Sequence, residues 1–266
     1  MHSDEYGLDT IHRLLIAGLT YLDRVCRENN IKYSLHGGAL LGAERNGKLI
    51  PWDDDLDISM ERAEYHRLIS VIDKTNSKYY LNTESTWVPR LVIVDANQTA
   101  FIDIFIWDYI TESCCGQKIK IALLRFLQGM MKQDTDYKRF NIKYRIILFL
   151  TYLIGHIFSW DTKICCFRYI SMHCFTGNKK FIHRSNDSFK GVSFIFDKDY
   201  MSEYHDIQLE GHRFMVNKRY HEFLERNYGV NYLIPSPAIE RKPMHGQSIS
   251  HISKNIILNE NKEGKI

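Results

Sequence analysis

After Trp52 the chain reads Asp53-Asp54-Asp55-Leu56-Asp57-Ile58-Ser59-Met60, four carboxylates within five residues, continued by aliphatic positions. Like charges a few ångströms apart repel strongly once water is thinned around them, so a fold that fixes this run must turn the acids apart or supply a cation. Extended backbone does part of the work. If residues 53 to 60 run as a strand, Asp53, Asp55, Asp57 and Ser59 share one face while Asp54, Leu56, Ile58 and Met60 share the other. The second face suits a core. The first gathers three carboxylates, for which a bound metal is the natural neutralising partner. A solvated loop is the plain alternative, and the interleaved Leu56 and Ile58 argue against it. A calcium loop is a sharper rival, because Asp53, Asp55, Asp57 and Glu64 match its positions 1, 3, 5 and 12, but position 6 requires glycine and here is Ile58.

The residues before the acids supply a second constraint. Leu8, Ile11, Leu15, Leu19, Leu22 and Cys26 recur at three and four, predicting a helix from Leu8 to Asn29. Residues 31 to 35 alternate as a strand, which gives way to His36-Gly37-Gly38 and then to a helix from Ala39 to about Arg45, stopped at Asn46-Gly47. Glycines at a strand-to-helix junction let backbone N–H groups approach a ligand, since no Cβ intervenes.

Further on, the pattern predicts a helix over residues 61–74, a short strand at 79–81, and a hairpin of strands 91–94 and 101–107 with a polar turn beginning Asp95-Ala96-Asn97. Asp103 is out of place in that last apolar strand, and needs either an arginine such as Arg90 or a functional reason. Residues 118–174 read as helical, with Ile119, Leu123, Leu127 and Met130 in one stripe, an apolar run at 146–158, and a break at Gln133-Asp134-Thr135-Asp136. A hairpin over 206–216 turns at Glu210-Gly211, a helix over 218–228 ends at Gly229, and the tail beyond His245 is polar.

With 44% hydrophobic and 25% charged residues, 266 residues make a soluble globular chain with a sizeable core; a net charge of +3 is too small to argue on its own for nucleic acid, and no nucleic-acid partner is expected. The six cysteines form no Cys-x-x-Cys pair, so reduced, mostly buried thiols and a cytoplasmic setting are expected; the acidic N-terminus shows no signal peptide. The 146–158 run is too short to cross a bilayer. It reads most simply as a core helix, although Lys138, Arg139, Lys143 and Arg145 would suit a peripheral contact through 138–158 with the inner face of a membrane.

Glycines at a strand-to-helix turn, Asp-x-Asp on the next strand and a third Asp on a later one can hold Mg²⁺ (or Mn²⁺) against phosphate, which is the equipment of phosphoryl or nucleotidyl transfer. No Walker phosphate loop or Gly-x-Gly-x-x-Gly fingerprint accompanies them.

Gly37-Gly38-Ala39-Leu40-Leu41-Gly42-Ala43-Glu44-Arg45 and Ile50-Pro51-Trp52-Asp53-Asp54-Asp55-Leu56-Asp57 resemble the signature of the LicD family, which includes phosphocholine transferases and the fukutin-related proteins. Phe101-Ile102-Asp103-Ile104-Phe105 is similar to its next motif, and the segment from Tyr220 to Gly229, with Pro235, Arg241 and His245, is similar to its close. The resemblance implies an α/β (α+β) fold: a nucleotidyltransferase-like mixed sheet flanked by helices, with a helical insertion. The chain is then a single domain over 1–266, with a core at 1–110, the insertion at 111–180, a hairpin and helix at 181–250 and a loose tail at 251–266. It also implies Asp55 and Asp57 as paired metal ligands, Asp103 as the third carboxylate, and a CDP-activated donor, CDP-choline or a CDP-alditol. The phospho-group would pass to a glycan or lipid-linked oligosaccharide with release of CMP, as in lipopolysaccharide or teichoic acid decoration.

On that scheme Gly37 and Gly38 present N–H groups to phosphate, and Asp103 completes a metal site or takes the hydroxyl proton. His36 hydrogen-bonds phosphate or is a core histidine; Arg45 neutralises phosphate or lies at the surface. Trp52 stacks on a ring or packs, Asp53 orients substrate or is solvated, and Arg241 and His245 reach in from the tail. A metal-dependent glycosyltransferase using a nucleotide-sugar is the rival enzyme. A non-catalytic module binding a membrane surface or partner is the rival of another class.

Overall fold

The computed structural model describes residues 6–73, 76–95, 98–132 and 142–235. The expected break at 133–136, the tip of the 91–107 hairpin, Arg241, His245 and the polar tail lie wholly or partly outside them. The fold is α+β, as the resemblance implies, and the chain divides into two compact units. One comprises Met1–Thr83, Pro89–Ile104 and Met201–Ile266, and the other Glu84–Val88 and Phe105–Tyr200. The segments 105–110 and 181–200 therefore group with the helical region.

In the first unit α1 (Asp9–Glu28) is followed by β1 (Ser34–His36), α2 (Gly37–Asn46), β2 (Leu56–Glu61), α3 (Arg62–Val71), β3 (Tyr79–Asn82), β4 (Arg90–Asp95) and residues 98–104 of β5 (Gln98–Ile110). The strands lie in the order β1-β2-β5-β4-β3. The stripe of α1 is buried as expected: Leu15, Leu19, Leu22 and Cys26 are fully enclosed, and the helix packs on β4. Tyr33 and Ser34 tie β1 to a hairpin. The Met215 N–H donates to the Tyr33 hydroxyl at 3.3 Å and the Asn217 N–H to Ser34 Oγ at 3.1 Å. That hairpin, β8 (Tyr204–Leu209) and β9 (His212–Asn217), turns at Glu210 and Gly211, both with positive φ (49° and 79°), the primed geometry that suits the twist of paired strands. Helix α7 (Tyr220–Tyr228) closes the unit and stops at Gly229, as its glycine predicts.

The second unit contains residues 105–110 of β5, then α4 (Cys114–Met131), α5 (Ile142–Gly155), α6 (Trp160–His173), β6 (Phe181–Arg184) and β7 (Ile195–Asp197). β5 pairs antiparallel with β6 and β6 with β7. Its core gathers Ile110, Ile121, Leu124, Leu127, Phe167 and Val192. The expected stripe on α4 is only half right. Leu127 and Met130 are buried, but Ile119 and Leu123 are exposed, because the helix carries two apolar faces and turns the one with Ile121 and Leu124 inward. The cysteines are free, as expected, yet only Cys26 is buried; Cys114, Cys115, Cys165 and Cys166 lie on outer helix surfaces.

Candidate active site

β1 runs antiparallel to β2 with Ser34 opposite Ser59, Leu35 opposite Ile58 and His36 opposite Asp57. This register carries the end of β1, and the helix that grows from it, directly to the acidic run. α2 begins at Gly37 itself, whose φ of +54° disfavours any side chain. A Cβ on Gly37 would collide with the carboxylate of Asp57, and a Cβ on Gly38 with the carboxylate of Asp53. The two glycines therefore make room for the protein's own acids. Both carboxylates sit at the amino end of a helix, where the unpaired N–H groups and the backbone dipole favour negative charge. A phosphate brought to the same N–H groups would meet these acids, and an intervening cation is what would let all three anions share the place.

The strand proper starts at Leu56, later than the sequence pattern predicts, and residues 53–55 precede it without regular structure. Pro51 and Trp52 form a turn in which the Asp53 N–H donates to the Ile50 carbonyl at 2.9 Å. The alternation nevertheless holds through this irregular start. Asp54, Leu56 and Ile58 are buried while Asp53, Asp55 and Asp57 are partly exposed; Ser59 departs from the pattern and is buried. His12 of α1 pins the turn from behind, its Nε2 lying 2.8 Å from the Asp53 carbonyl oxygen. The Trp52 ring lies 6.0 Å from that of Tyr6 at a tilted angle.

Tyr228 is the site residue that sequence reasoning missed. It is the last residue of α7, and its phenol is pushed above the ordinary tyrosine range, first by burial and then by the negative charges of Asp57, Asp53 and Asp55. Three acids thus act on one hydroxyl, which stays protonated and able to donate. The signal was present as a four-residue recurrence, Tyr220, Leu224, Tyr228, running to the helix stop at Gly229. The same helix covers His36, whose ring stacks on Phe223 with centroids 4.1 Å apart and is 5% exposed. That burial matches the core-histidine reading of His36.

Other expected site residues have visible occupations. Asp103 faces Arg90 across the β4–β5 pairing; Arg90 Nε donates to Oδ1 at 2.5 Å and Nη2 to Oδ2 at 3.1 Å. The guanidinium also lies 4.2 Å over the Phe101 ring. This is the arginine partner that the apolar strand called for. Arg45 donates to the carbonyls of Tyr232, at 2.8 and 2.6 Å, and of Ile234, at 3.0 Å, so it anchors the segment after α7. Arg241 and His245 lie outside the described residues.

Among the described residues no three His, Cys, Asp or Glu side chains form a ready-made metal cluster. The donor chemistry still fits Mg²⁺, which is held through one or two carboxylates with the remaining positions left to water and substrate phosphate. Asp57, Asp53 and Asp55 are the carboxylates whose fields meet at Tyr228.

The family model for the LicD/FKTN/FKRP nucleotidyltransferase domain matches residues 30–145, a span that takes in the β1–α2 junction, the acidic run and Asp103. Residues 30–145 thus carry the features of a LicD-type nucleotidyltransferase domain. The lipopolysaccharide cholinephosphotransferase LicD of Haemophilus influenzae is 28% identical over 251 residues, which cover 86% of this chain and 92% of that protein. Uncharacterised proteins of Rickettsia prowazekii and Rickettsia typhi are 55% identical over 40 residues, 15% of this chain. The likeness to LicD proteins thus covers the part of the chain that builds the acidic site and extends along most of its length.

Proposed function

We propose that this chain is a metal-dependent phosphotransferase that moves phosphocholine, or a phospho-alditol, from a CDP-activated donor to a hydroxyl of a cell-surface glycan and releases CMP. The observation that carries the reading is the approach of Asp57 and Asp53 to Gly37 and Gly38 beside the Tyr228 phenol, an anion-crowded helix start suited to a phosphate only with a cation. The similarity to a lipopolysaccharide cholinephosphotransferase supports the transferred group and the glycan class of acceptor.

Bound Mg²⁺, or Mn²⁺, would supply Lewis-acid neutralisation of the donor's pyrophosphate. Asp55 and Asp57 would hold it. The N–H groups at the start of α2 orient phosphate oxygens, and the Tyr228 phenol donates to one of them. Asp103 serves as the third carboxylate, with Arg90 fixing its orientation as outer-shell partners do. With both oxygens engaged by a guanidinium it is a poor proton acceptor, so removal of the acceptor's hydroxyl proton falls to the part-exposed Asp53. The donor places the reaction on the cytoplasmic side of the membrane.

The test is product analysis. CDP-choline labelled in its phosphocholine moiety is incubated with Mg²⁺ and a lipopolysaccharide acceptor. Label should enter the glycan in step with CMP formation, and EDTA should stop both. A nucleotide-sugar donor giving free nucleoside diphosphate, with no turnover of CDP-linked donors, would instead make the chain a glycosyltransferase.

A further inference from the structure

Helices α4 and α5 of the second unit pack in an inverted manner. Their contact is made by small residues: a Cβ on Gly129 would lie 2.6 Å from Thr151 Oγ1, and one on Gly155 would strike the Met130 carbonyl oxygen. Thr151 is 5% exposed and spends its hydroxyl on the Leu148 carbonyl in its own helix, at 3.0 Å. The large apolar side chains point the other way. Ile146, Phe149, Leu150 and Leu153 are each about half exposed, and Ile157 just beyond the helix is 77% exposed. On α4 the face with Ile119, Leu123 and Phe126, spaced at four and three, is exposed as well. A helix in water does the reverse, burying its large residues and exposing its small ones. Small residues at the helix contact with large ones outward is the arrangement of helices that meet lipid.

Charge selects among occupants. The two helices carry Lys118, Arg125, Lys143 and Arg145 and no acid, although Asp and Glu number 32 in the chain; their remaining base, Lys120, is buried and donates to the Tyr109 and Ser171 carbonyls. A second copy would bring like charge against like. An anionic surface would not. Nor can the segment span: the 14 residues of α5 reach about 21 Å, against roughly 30 Å of hydrocarbon, and no helix among the described residues is long and apolar enough to cross a membrane.

From the inverted packing and the acid-free charge of α4 and α5 together, we infer that their outer faces dock this chain on an anionic lipid bilayer, with the helices lying in the interface plane. The docking surface belongs to the second unit alone and does not depend on the phosphotransfer reading. Together with the proposed function, it would hold the enzyme beside a lipid-borne acceptor.

The experiment is flotation of the full chain with vesicles of phosphatidylglycerol and phosphatidylcholine, compared with phosphatidylcholine alone, at low and high salt. Binding should require phosphatidylglycerol and weaken as salt screens the basic residues. The triple variant Ile146→Ser, Leu150→Ser, Leu153→Ser should weaken binding by roughly 100-fold, since three apolar side chains no longer enter the interface. Its melting temperature should not fall, because none of the three is buried. Phe149→Trp gives an independent reading: its fluorescence should shift to shorter wavelength on vesicles and be quenched by brominated acyl chains. Wild-type chain that stays with the aqueous fraction at saturating lipid overturns the inference, as does vesicle binding untouched by the triple variant. A concentration-dependent dimer dispersed by that variant, without vesicle binding, would assign the face to a second copy.

Discussion

The two units hold their carboxylates in opposite ways. In the second, Asp187 is buried against Arg184 at 2.6 Å, the arginine is 1% exposed over the Trp107 ring, and each charge has its counter-charge built in. In the first, Asp53 and Asp57 are pressed against glycines at a helix start, remain partly exposed, and with Asp55 add to the burial that raises the titration of Tyr228. Burial and an arginine make an acid structural. Exposure and crowding of like charge make it a place for a cation. Asp103 stands between these cases, since it has an arginine and yet lies in a family motif.

Four outcomes test this contrast, the largest first. Asp57→Asn should lower kcat/KM by roughly 1000-fold, about 4 kcal/mol of transition-state stabilisation. The melting temperature should hold or rise, because one repelling charge is gone; a parallel loss of stability would place Asp57 with the structural acids. Arg184→Met leaves Asp187 buried without its guanidinium and should cost about 3–5 kcal/mol in urea unfolding. An undiminished midpoint would show that the second unit does not depend on the pair.

Acid titration of the same unit comes next. His183 on β6 is fully buried, and burial followed by the charge of Lys120 lowers its pKa to about 4. Above the unfolded value near 6.5 both states are neutral and nothing is lost. As pH falls below 6.5 the unfolded chain takes up a proton that the folded one refuses, so stability should drain away through pH 4 by a few kcal/mol. His183→Gln should flatten that slope in thermal melts, and an unchanged slope would trace it to other groups.

Asp103→Asn is the sharpest discriminator although its effect is smaller. It should cost about 2 kcal/mol of stability through the partly exposed Arg90 pair, and activity per folded molecule should fall by roughly 100-fold. Loss of stability alone would move Asp103 fully into the structural class. Its kinetics should be read beside those of Asp57→Asn under the same Mg²⁺ concentrations.

The fold was legible where one residue type allowed one geometry. The α1 stripe, the Glu210-Gly211 turn and the end of α7 at Gly229 came directly from spacing and glycine placement. The site was half legible. Alternation in the acidic run showed which acids would face outward, and Asp103, costly in an apolar strand, left open an arginine such as Arg90 or a functional reason. The strands β6 and β7, and the choice between two apolar faces on α4, had no such signal, because several pairings or orientations bury similar area.

By itself, then, the sequence determined the crowding of Asp53, Asp55 and Asp57, their separation from Asp54, and the glycine junction that precedes them. Tertiary structure alone decided that the space beside those glycines belongs to Asp53 and Asp57, that Tyr228 meets them from α7, that Arg45 anchors the segment after that helix, and that α5 turns its large side chains outward. Charge spacing and backbone freedom are local properties carried by neighbouring residues. Which side chain fills a space is settled by contacts between residues nearly two hundred positions apart, and no local pattern encodes them.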